Sequence, residues 1–209
     1  MHVRKSGIEP TLKTSEGRRP GARVRIGRSL AAIALAAATI AAPAAAEVTR
    51  TSEIGFTSRN QVEVAAAPRE IWTLVIEPGL WWSSGHTYSG DARNMTMDAR
   101  PGGCFCETIP AASAAPAGAI EHMRVIYAAP GSTLRMTGGL GPLQSEAVTG
   151  VLTMTFEPVG ESTKIVWEYT VGGYMRVPVE TIAPLVDEVV GEQLRRLASL
   201  AETGSPAAH

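Results

Sequence analysis

The feature that most constrains the fold of this chain is an amphipathic segment near its C-terminus. Residues 179–201 contain one proline, Pro184 near the start, and one glycine, Gly191. Their apolar side chains recur at helical spacing and form a stripe, which consists of Ile182, Leu185, Val186, Val189, Val190, Leu194, Leu197 and Leu200. Each such side chain contributes about 1.5–3 kcal/mol when it is buried. The segment is therefore predicted to be a helix that lies across an apolar surface supplied by the rest of the chain.

The residues before this helix are typical of a sheet. Residues 56–65 alternate between apolar and polar as a strand does, and Pro68 begins a short helix with Ile71 and Trp72 on its apolar side. Residues 80–82 are predicted to add a second short helical turn. Six further strands are predicted, at 94–99, 104–109, 120–127, 133–137, 148–156 and 164–171, with an exposed loop at 110–117. An antiparallel sheet of this size buries one face under a single long helix, which predicts an α+β fold.

The N-terminal region has the pattern of a secretion signal. Residues 1–46 hold eight basic and two acidic side chains and include an uncharged apolar run at 30–40. The small residues Ala44 and Ala46 precede Glu47, which is typical of a signal-peptide cleavage site. A membrane-spanning helix needs about 20 apolar residues, so this shorter, alanine-rich run argues against a retained anchor. We therefore predict a signal peptide at 1–46, a linker at 47–55, one domain at 56–202, a disordered tail at 203–209, and a periplasmic or secreted location.

Removal of this signal leaves an acidic protein. The whole chain has 19 basic and 20 acidic residues, and 11 basic and 18 acidic residues remain from Glu47 onward. A nucleic-acid partner requires a basic surface that displaces counterions from phosphates, and no stretch after Glu47 offers one. The composition therefore argues against nucleic acid and anionic lipid surfaces as partners. No stable membrane anchor is expected after cleavage.

The two cysteines, Cys104 and Cys106, occupy alternate positions of a predicted strand. On a regular strand their Cα atoms would lie about 6.5–7 Å apart, which exceeds the usual separation in a disulfide. We therefore expect two small buried residues on the inward face, with a strained redox pair or an intermolecular bridge as alternatives. No nearby histidine or cysteine completes a zinc site, so no metal is predicted.

The order of these elements and several local motifs resemble the START-like superfamily, also called SRPBCC, and most closely its polyketide-cyclase-like and heat-shock ATPase-activator-like branch. The similarity covers most of residues 56–201 and rests on the strand-to-helix junction at 62–71, the tryptophan pair at 81–82, the turn at 100–105, the strand that ends at Pro130, and the final helix with Val189, Gln193, Leu194 and Leu197. The resemblance implies a helix-grip fold, in which a curved antiparallel sheet wraps around a long C-terminal helix. It also implies a deep apolar cavity for lipids, polyketides, sterols or aromatic compounds. The superfamily has no shared catalytic motif.

Aromatic and methionine side chains are the candidates for lining that cavity. Trp167 and Tyr169 share one strand face with Ile165, which places them inside if the bulky set faces the core. Trp81 and Trp82 are adjacent, so at most one of them is expected to point inward. Methionine side chains are flexible and suit adaptable pockets, although core packing is the alternative for all of these residues. The predicted ligand-binding residues are Trp82, Met136, Met154, Trp167, Tyr169 and Met175.

The candidate acid or base is His122, in the middle of a predicted strand. A histidine has an unperturbed pKa near 6.5 and can transfer protons at neutral pH. The alternative is that His122 is an outward polar residue. Glu107, Glu168 and Arg124 are expected to be solvated rather than buried partners of a substrate. No nucleophile or metal motif and no cofactor is predicted.

Three functions are compatible with these observations. The first is an exported protein that binds a hydrophobic small molecule, such as a lipid, polyketide-like or aromatic compound, between the sheet and the C-terminal helix. The second is a cyclase or dehydratase that uses His122 or a buried glutamate as acid or base. The third is an interaction module whose cavity is filled by its own side chains. An open apolar cavity favours the first, and an inward histidine paired with a carboxylate favours the second.

Overall fold

The computed structural model describes residues 45–113 and 115–207. The predicted signal peptide lies outside this part of the chain, except for Ala45 and Ala46. A curved antiparallel sheet has the strand order β1-β2-β8-β7-β6-β5-β4-β3, and the α+β helix-grip architecture is confirmed. The strands are β1 Ala45–Ser52, β2 Gly55–Val64, β3 Met95–Met97, β4 Cys104–Ile109, β5 Gly118–Ala129, β6 Thr133–Thr137, β7 Ala147–Val159 and β8 Ser162–Tyr174. Helix α1 spans Pro68–Val75, helix α2 spans Val179–Thr203, and 3-10 turns lie at Pro78–Leu80, Ser84–His86, Ala92–Asn94 and Gly141–Ser145.

Helix α2 packs against β1 and β2, as its apolar stripe predicts. Leu194 and Leu197 are completely buried, whereas Leu185 is 55% exposed and Val189 is half-buried. The last turn is closed by Gly204, whose φ of 76° allows its N–H to donate to the Leu200 carbonyl at 2.9 Å. No helix in the two described ranges is long and apolar enough to cross a membrane.

The predicted linker at 47–55 is instead largely part of the sheet. Strand β1 pairs with β2 from Ala45↔Gln61 to Ser52↔Gly55. Its sequence is mostly polar and gave no alternating pattern, but Val48 packs against the core. The strand exists because β2 offers a complementary edge, which periodicity within the segment itself does not reveal.

The predicted disordered tail also differs from the structure over residues 203–207. Thr203 is the last residue of α2, and the carbonyl of Ser205 accepts a hydrogen bond from the Ser199 hydroxyl at 2.9 Å. Arg196 donates to the carbonyl of Ala207. These contacts hold the segment against the helix because its backbone carbonyls meet side-chain donors on the last turns of α2.

Both adjacent tryptophans are buried, so the prediction that at most one points inward was wrong. Trp81 is 0% and Trp82 is 7% exposed. They follow a 3-10 turn rather than a strand, so their side chains need not alternate between two faces. Each indole N–H is satisfied at 2.9 Å, by the Leu74 carbonyl for Trp81 and the His86 carbonyl for Trp82. Neither buried indole therefore leaves its N–H donor unpaired.

The leading interpretation of the cysteines as two unbonded buried residues was also wrong, because Cys104 and Cys106 form a disulfide within the chain, which corresponds to the redox-pair alternative. Their Cα atoms lie 5.4 Å apart, within the usual range for such a bond. This separation is shorter than that of a regular strand, and the ladder between β4 and β5 shifts register at the same place, between Phe105 and Cys106. The buried side chains of β4 are Phe105 and Glu107, and both cysteines are only half-buried.

Candidate functional site

A cavity of about 340 Å³ lies beneath the first half of α2. Its other walls come from the segment 82–88, the connection 140–142 and strand β5. Most of the lining is apolar, and it consists of Trp82, His86, Thr87, Tyr88, His122, Leu140, Gly141, Pro142, Ile182, Leu185, Val186, Val189 and Val190. Ligand sites of proteins have volumes of about 300–1,000 Å³, so this cavity suits a small ligand.

One polar feature of the cavity wall is His122, which is paired with Glu107. The His122 Nε2 atom lies 3.0 Å from Glu107 Oε2, and the two residues are 4% and 1% exposed. Glu107 also accepts backbone N–H groups from Tyr88, at 3.1 Å, and from Ser89. The carboxylate thus joins strands β4 and β5 to the segment that forms the cavity mouth.

A β-bulge explains why His122 is buried. In the ladder between β4 and β5, Phe105 pairs with Met123. Cys106 pairs with Glu121, so His122 is the extra residue on β5. In a regular strand, His122 and its neighbour Met123 would point to opposite faces, but both are buried here. A bulge redirects a side chain in this way, and the expectation that mid-strand histidines point outward does not hold at this position.

Burial and hydrogen bonds together determine the protonation states of this pair. Burial raises the pKa of Glu107, but the hydrogen bonds from Ser89, Tyr88 and His122 outweigh this effect and hold the pKa below its usual value. Burial lowers the pKa of His122, and the hydrogen bond to Glu107 opposes this effect only in part. At neutral pH a carboxylate therefore faces a neutral imidazole, and Nε2 carries the proton because Glu107 can only accept. Nδ1 is then left as an acceptor.

Tyr88 and His86 shape the mouth of the cavity. The Tyr88 hydroxyl donates to the Gly141 carbonyl at 3.1 Å and joins the two loops across the opening. The Tyr88 ring lies 5.9 Å from the His122 ring, centroid to centroid. His86 Nε2 lies 3.0 Å from Glu192 Oε2 on α2. Side chains from both loops and from the helix thus converge on this opening.

Of the six predicted ligand-binding residues, only Trp82 lines this cavity. Met136, Met154, Trp167 and Tyr169 are buried in the core beneath it, each at most 1% exposed. Met175 borders a separate small cavity beside Leu143 and Val177. The predicted orientation of the Trp167 face is correct, since Ile165, Trp167 and Tyr169 are all buried. A buried side chain contacts a ligand only where the packing leaves space, and the sequence does not indicate where that space is.

Glu107 and Tyr88 are two of the site residues that the sequence pattern did not identify. Glu107 was expected to be solvated, but it alternates with Phe105 on the inward face of β4. That alternation is a usable signal, because the position of Phe105 predicts that of Glu107. Glu168 and Arg124 are exposed, as expected. Tyr88 lies in an irregular segment, for which no periodicity predicts an orientation.

Metal ligands are sparse in the described ranges. One group, formed by Cys104, Cys106 and Glu121, places three potential ligand atoms within 4.8 Å of one another. The disulfide occupies both sulfur atoms of this group. Thiolates bind metals and disulfides do not, so this oxidised pair does not make a metal site.

Residues 55–202 match the protein family described as polyketide cyclase/dehydrase and lipid transport. No curated protein matches the chain. A conserved protein of unknown function from Enterococcus faecalis has 15% identity and a TM-score of 0.52, over 78% of this chain and 80% of its own. CalU16 from Micromonospora echinospora has 14% identity and a TM-score of 0.51, over 78% and 86% respectively. A protein from Rhizobium leguminosarum has 16% identity and a TM-score of 0.51, over 76% and 99%. At such identities the structures support the fold alone.

Proposed function

Because this chain belongs to the polyketide cyclase/dehydrase and lipid transport family within the START-like, or SRPBCC, superfamily, we propose that it is an exported protein that holds a hydrophobic small molecule beneath α2. The observation that carries this proposal is the open, mainly apolar cavity of about 340 Å³. An interaction module with a filled cavity would not need this free volume. The apolar lining supports a hydrophobic ligand, and the family description suggests a lipid, polyketide-like or aromatic compound.

Two observations support export to the periplasm or the cell exterior. The first is the signal-like pattern of residues 1–46, with its basic start, apolar run and small residues before Glu47. The second is the disulfide between Cys104 and Cys106. Disulfides persist in oxidising compartments and are rare in the cytosol. The partner we propose is therefore a small apolar molecule encountered outside the cytoplasm.

A fluorescence titration tests the binding proposal. N-phenyl-1-naphthylamine, a neutral apolar dye, is added to the purified protein, and saturable enhancement of its emission is expected. Val189→Phe replaces a small side chain by a phenyl ring at a half-buried cavity position and should weaken dye binding about tenfold or more. Val159→Phe, the same change at an exposed position on β7, is the matched control and should bind like the wild type. Equal binding by both variants, or none by the wild type, would contradict the proposal.

The His122–Glu107 pair favours a second candidate function, acid–base catalysis of a cyclisation or dehydration. A neutral imidazole that is oriented by a carboxylate has the arrangement of a general base. In a dehydration, Nδ1 would remove a proton α to a carbonyl and then return it to the departing β-hydroxyl, which leaves as water, so that the imidazole ends neutral again. Incubation with a β-hydroxy ketone, followed by mass spectrometry, would detect the loss of water. His122→Phe should abolish that loss, and an unreactive wild type would leave binding as the function.

A further inference from the structure

One acceptor on the cavity wall has no hydrogen-bond partner in the described chain. The Trp82 N–H, the Thr87 hydroxyl and the Tyr88 hydroxyl each donate to a backbone carbonyl, of His86, Ser84 and Gly141. His122 Nε2 is bound to Glu107, but no hydrogen bond to His122 Nδ1 is found in residues 45–113 and 115–207. Since His122 lines the cavity, a ligand in the cavity can supply the hydrogen bond that Nδ1 lacks within these residues.

We infer that the cavity selects a neutral apolar ligand with one hydroxyl group, a phenol or an enol, whose hydrogen is donated to His122 Nδ1. This inference rests on the proposed binding function and defines the ligand class for the same site. Glu107 sets the selectivity, because its carboxylate keeps the imidazole proton on Nε2 and leaves Nδ1 as an acceptor. Glu107 does not touch the ligand and is therefore a positioning residue.

Charge makes the same site unfavourable for carboxylates. None of the thirteen residues that line the cavity is a lysine or an arginine. A carboxylate at the inner end would bring its lone pairs against the lone pair of Nδ1 and would lie near the ionised Glu107. An ionised ligand group without a partner in an apolar site is strongly disfavoured. Fatty-acid anions are therefore excluded at this position, although their chains would suit the apolar walls.

The size of the cavity further restricts the class of ligand. A volume of about 340 Å³ is at the lower end for ligand sites, which suits a compound of two or three fused rings. The rings of Tyr88 and Phe105 lie 5.9 and 5.3 Å from the His122 ring, centroid to centroid. They restrict the movement of the imidazole, so Nδ1 is held in a constant position for the incoming hydroxyl.

The test compares three naphthalenes that differ only in one substituent. At pH 7, binding of 2-naphthol, 2-methoxynaphthalene and 2-naphthoate to the full chain is measured by calorimetry. We expect 2-naphthol to bind about tenfold more tightly than the methoxy compound, because only it can donate to Nδ1. We expect 2-naphthoate to bind more weakly than both. The variant His122→Phe keeps an aromatic ring at this position but removes the Nδ1 acceptor. It should bind 2-naphthol and 2-methoxynaphthalene equally.

These outcomes separate this inference from the binding proposal. If none of the three compounds binds and N-phenyl-1-naphthylamine also fails, the binding proposal itself is wrong. If the methoxy compound binds as tightly as 2-naphthol, the cavity binds apolar ligands but the hydroxyl selectivity is refuted. Tighter binding of 2-naphthoate, or a hydroxyl preference that persists in His122→Phe, would also overturn the inference.

Nitrogen NMR provides a second measurement that does not depend on a variant that folds. The chain has four histidines, and ¹⁵N-labelling of this residue type allows the tautomer of each to be observed. We expect His122 to show a protonated Nε2 and an unprotonated Nδ1 at pH 7. Its Nδ1 signal should shift on addition of 2-naphthol but not of 2-methoxynaphthalene. A protonated Nδ1 in the free protein, or no response to 2-naphthol, would contradict the proposed contact.

Discussion

A single carboxylate organises the polar part of this site. Glu107 accepts one N–H from His122 and two from the backbone of residues 88 and 89. Three donors stabilise its ionised form, which in turn determines the tautomer of His122. The position of the cavity mouth and the chemistry of its inner wall therefore depend on the same residue.

Replacement of Glu107 by glutamine should reduce stability. One carboxylate oxygen faces Tyr88 N–H and His122, and the other faces Ser89 N–H. In Glu107→Gln, the amide NH₂ must face at least one of these donors, which costs about 1–3 kcal/mol for a buried group. Denaturant unfolding should show this loss. Glu168→Gln, at an exposed position of β8, is the matched control and should lie within about 0.5 kcal/mol of the wild type.

Titration of His122 should make the fold sensitive to acid. Its pKa is lowered in the folded state by burial, so the unfolded chain, with a pKa near 6.5, binds the proton more readily. The stabilisation from neutral His122 is complete above that value and is lost as the pH falls towards the lowered pKa. Glu107 also has a lowered pKa, and its contribution is lost in a more acidic range, below about pH 4.3.

The histidine contribution can be isolated with His122→Gln, which retains an N–H donor for Glu107 but does not titrate in this range. Between pH 7 and 5, the Tm of the wild type should fall by about 2–4 °C more than that of the variant. Thermal unfolding followed by circular dichroism measures both curves. Parallel curves would show that the pKa of His122 is the same in the folded and unfolded states.

The elements of this fold differ in how far the sequence predicts them. Helix α2 was predictable because its stripe repeats over several turns, and β4 and β6 were predicted with the bounds observed because alternation marks them clearly. Strand β1 was not predictable from its own residues, since its position depends on the edge of β2. The bulge at His122 could not be predicted either, because it depends on how β5 aligns with β4. Periodicity predicts the elements, but their alignment with one another places the site residues.

Helix α2 offers two leucines that should respond differently to the same change. Leu194 is 0% exposed, whereas Leu185 is 55% exposed at the cavity mouth. Leu194→Asp buries a carboxylate without a cationic partner and should cost several kcal/mol, a large part of a typical stability of about 5–15 kcal/mol. The Tm of Leu185→Asp should be close to that of the wild type, although this variant should bind the apolar dye more weakly. Equal Tm values for both variants would contradict the packing of α2.

In the described residues, a sheet, a helix and two loops together border the cavity beneath α2, and that volume is a property of none of them alone. The family resemblance implied a cavity from the sequence, and the lining residue Trp82 was predicted. The core residues Met136, Met154, Trp167 and Tyr169 were assigned to the wall because they face the correct side. Differences of a few ångströms in packing decide which inward side chains reach the cavity. A periodic sequence pattern does not contain that information.

Export should determine both the N-terminus and the redox state of the mature protein. Cleavage after Ala46 would leave Glu47 to Ser52 to pair with β2, from Glu47↔Arg59 to Ser52↔Gly55, so the sheet keeps its edge strand. We expect N-terminal sequencing of the exported protein to begin at about Glu47. Ala46→Arg places a large charge at the small-residue site and should block processing, whereas Ala46→Ser should not.

The cysteines provide an independent measure of the compartment. Exported protein should contain no free thiol that reacts with an alkylating reagent under denaturing conditions, because Cys104 and Cys106 are joined. Protein produced without residues 2–46, which lacks the export signal and stays in the cytoplasm, should instead react at both positions, since cytosolic thiols are kept reduced. Exported material that begins at Met1 would contradict the cleavage proposal. Free thiols in correctly processed protein would contradict the disulfide while leaving export intact.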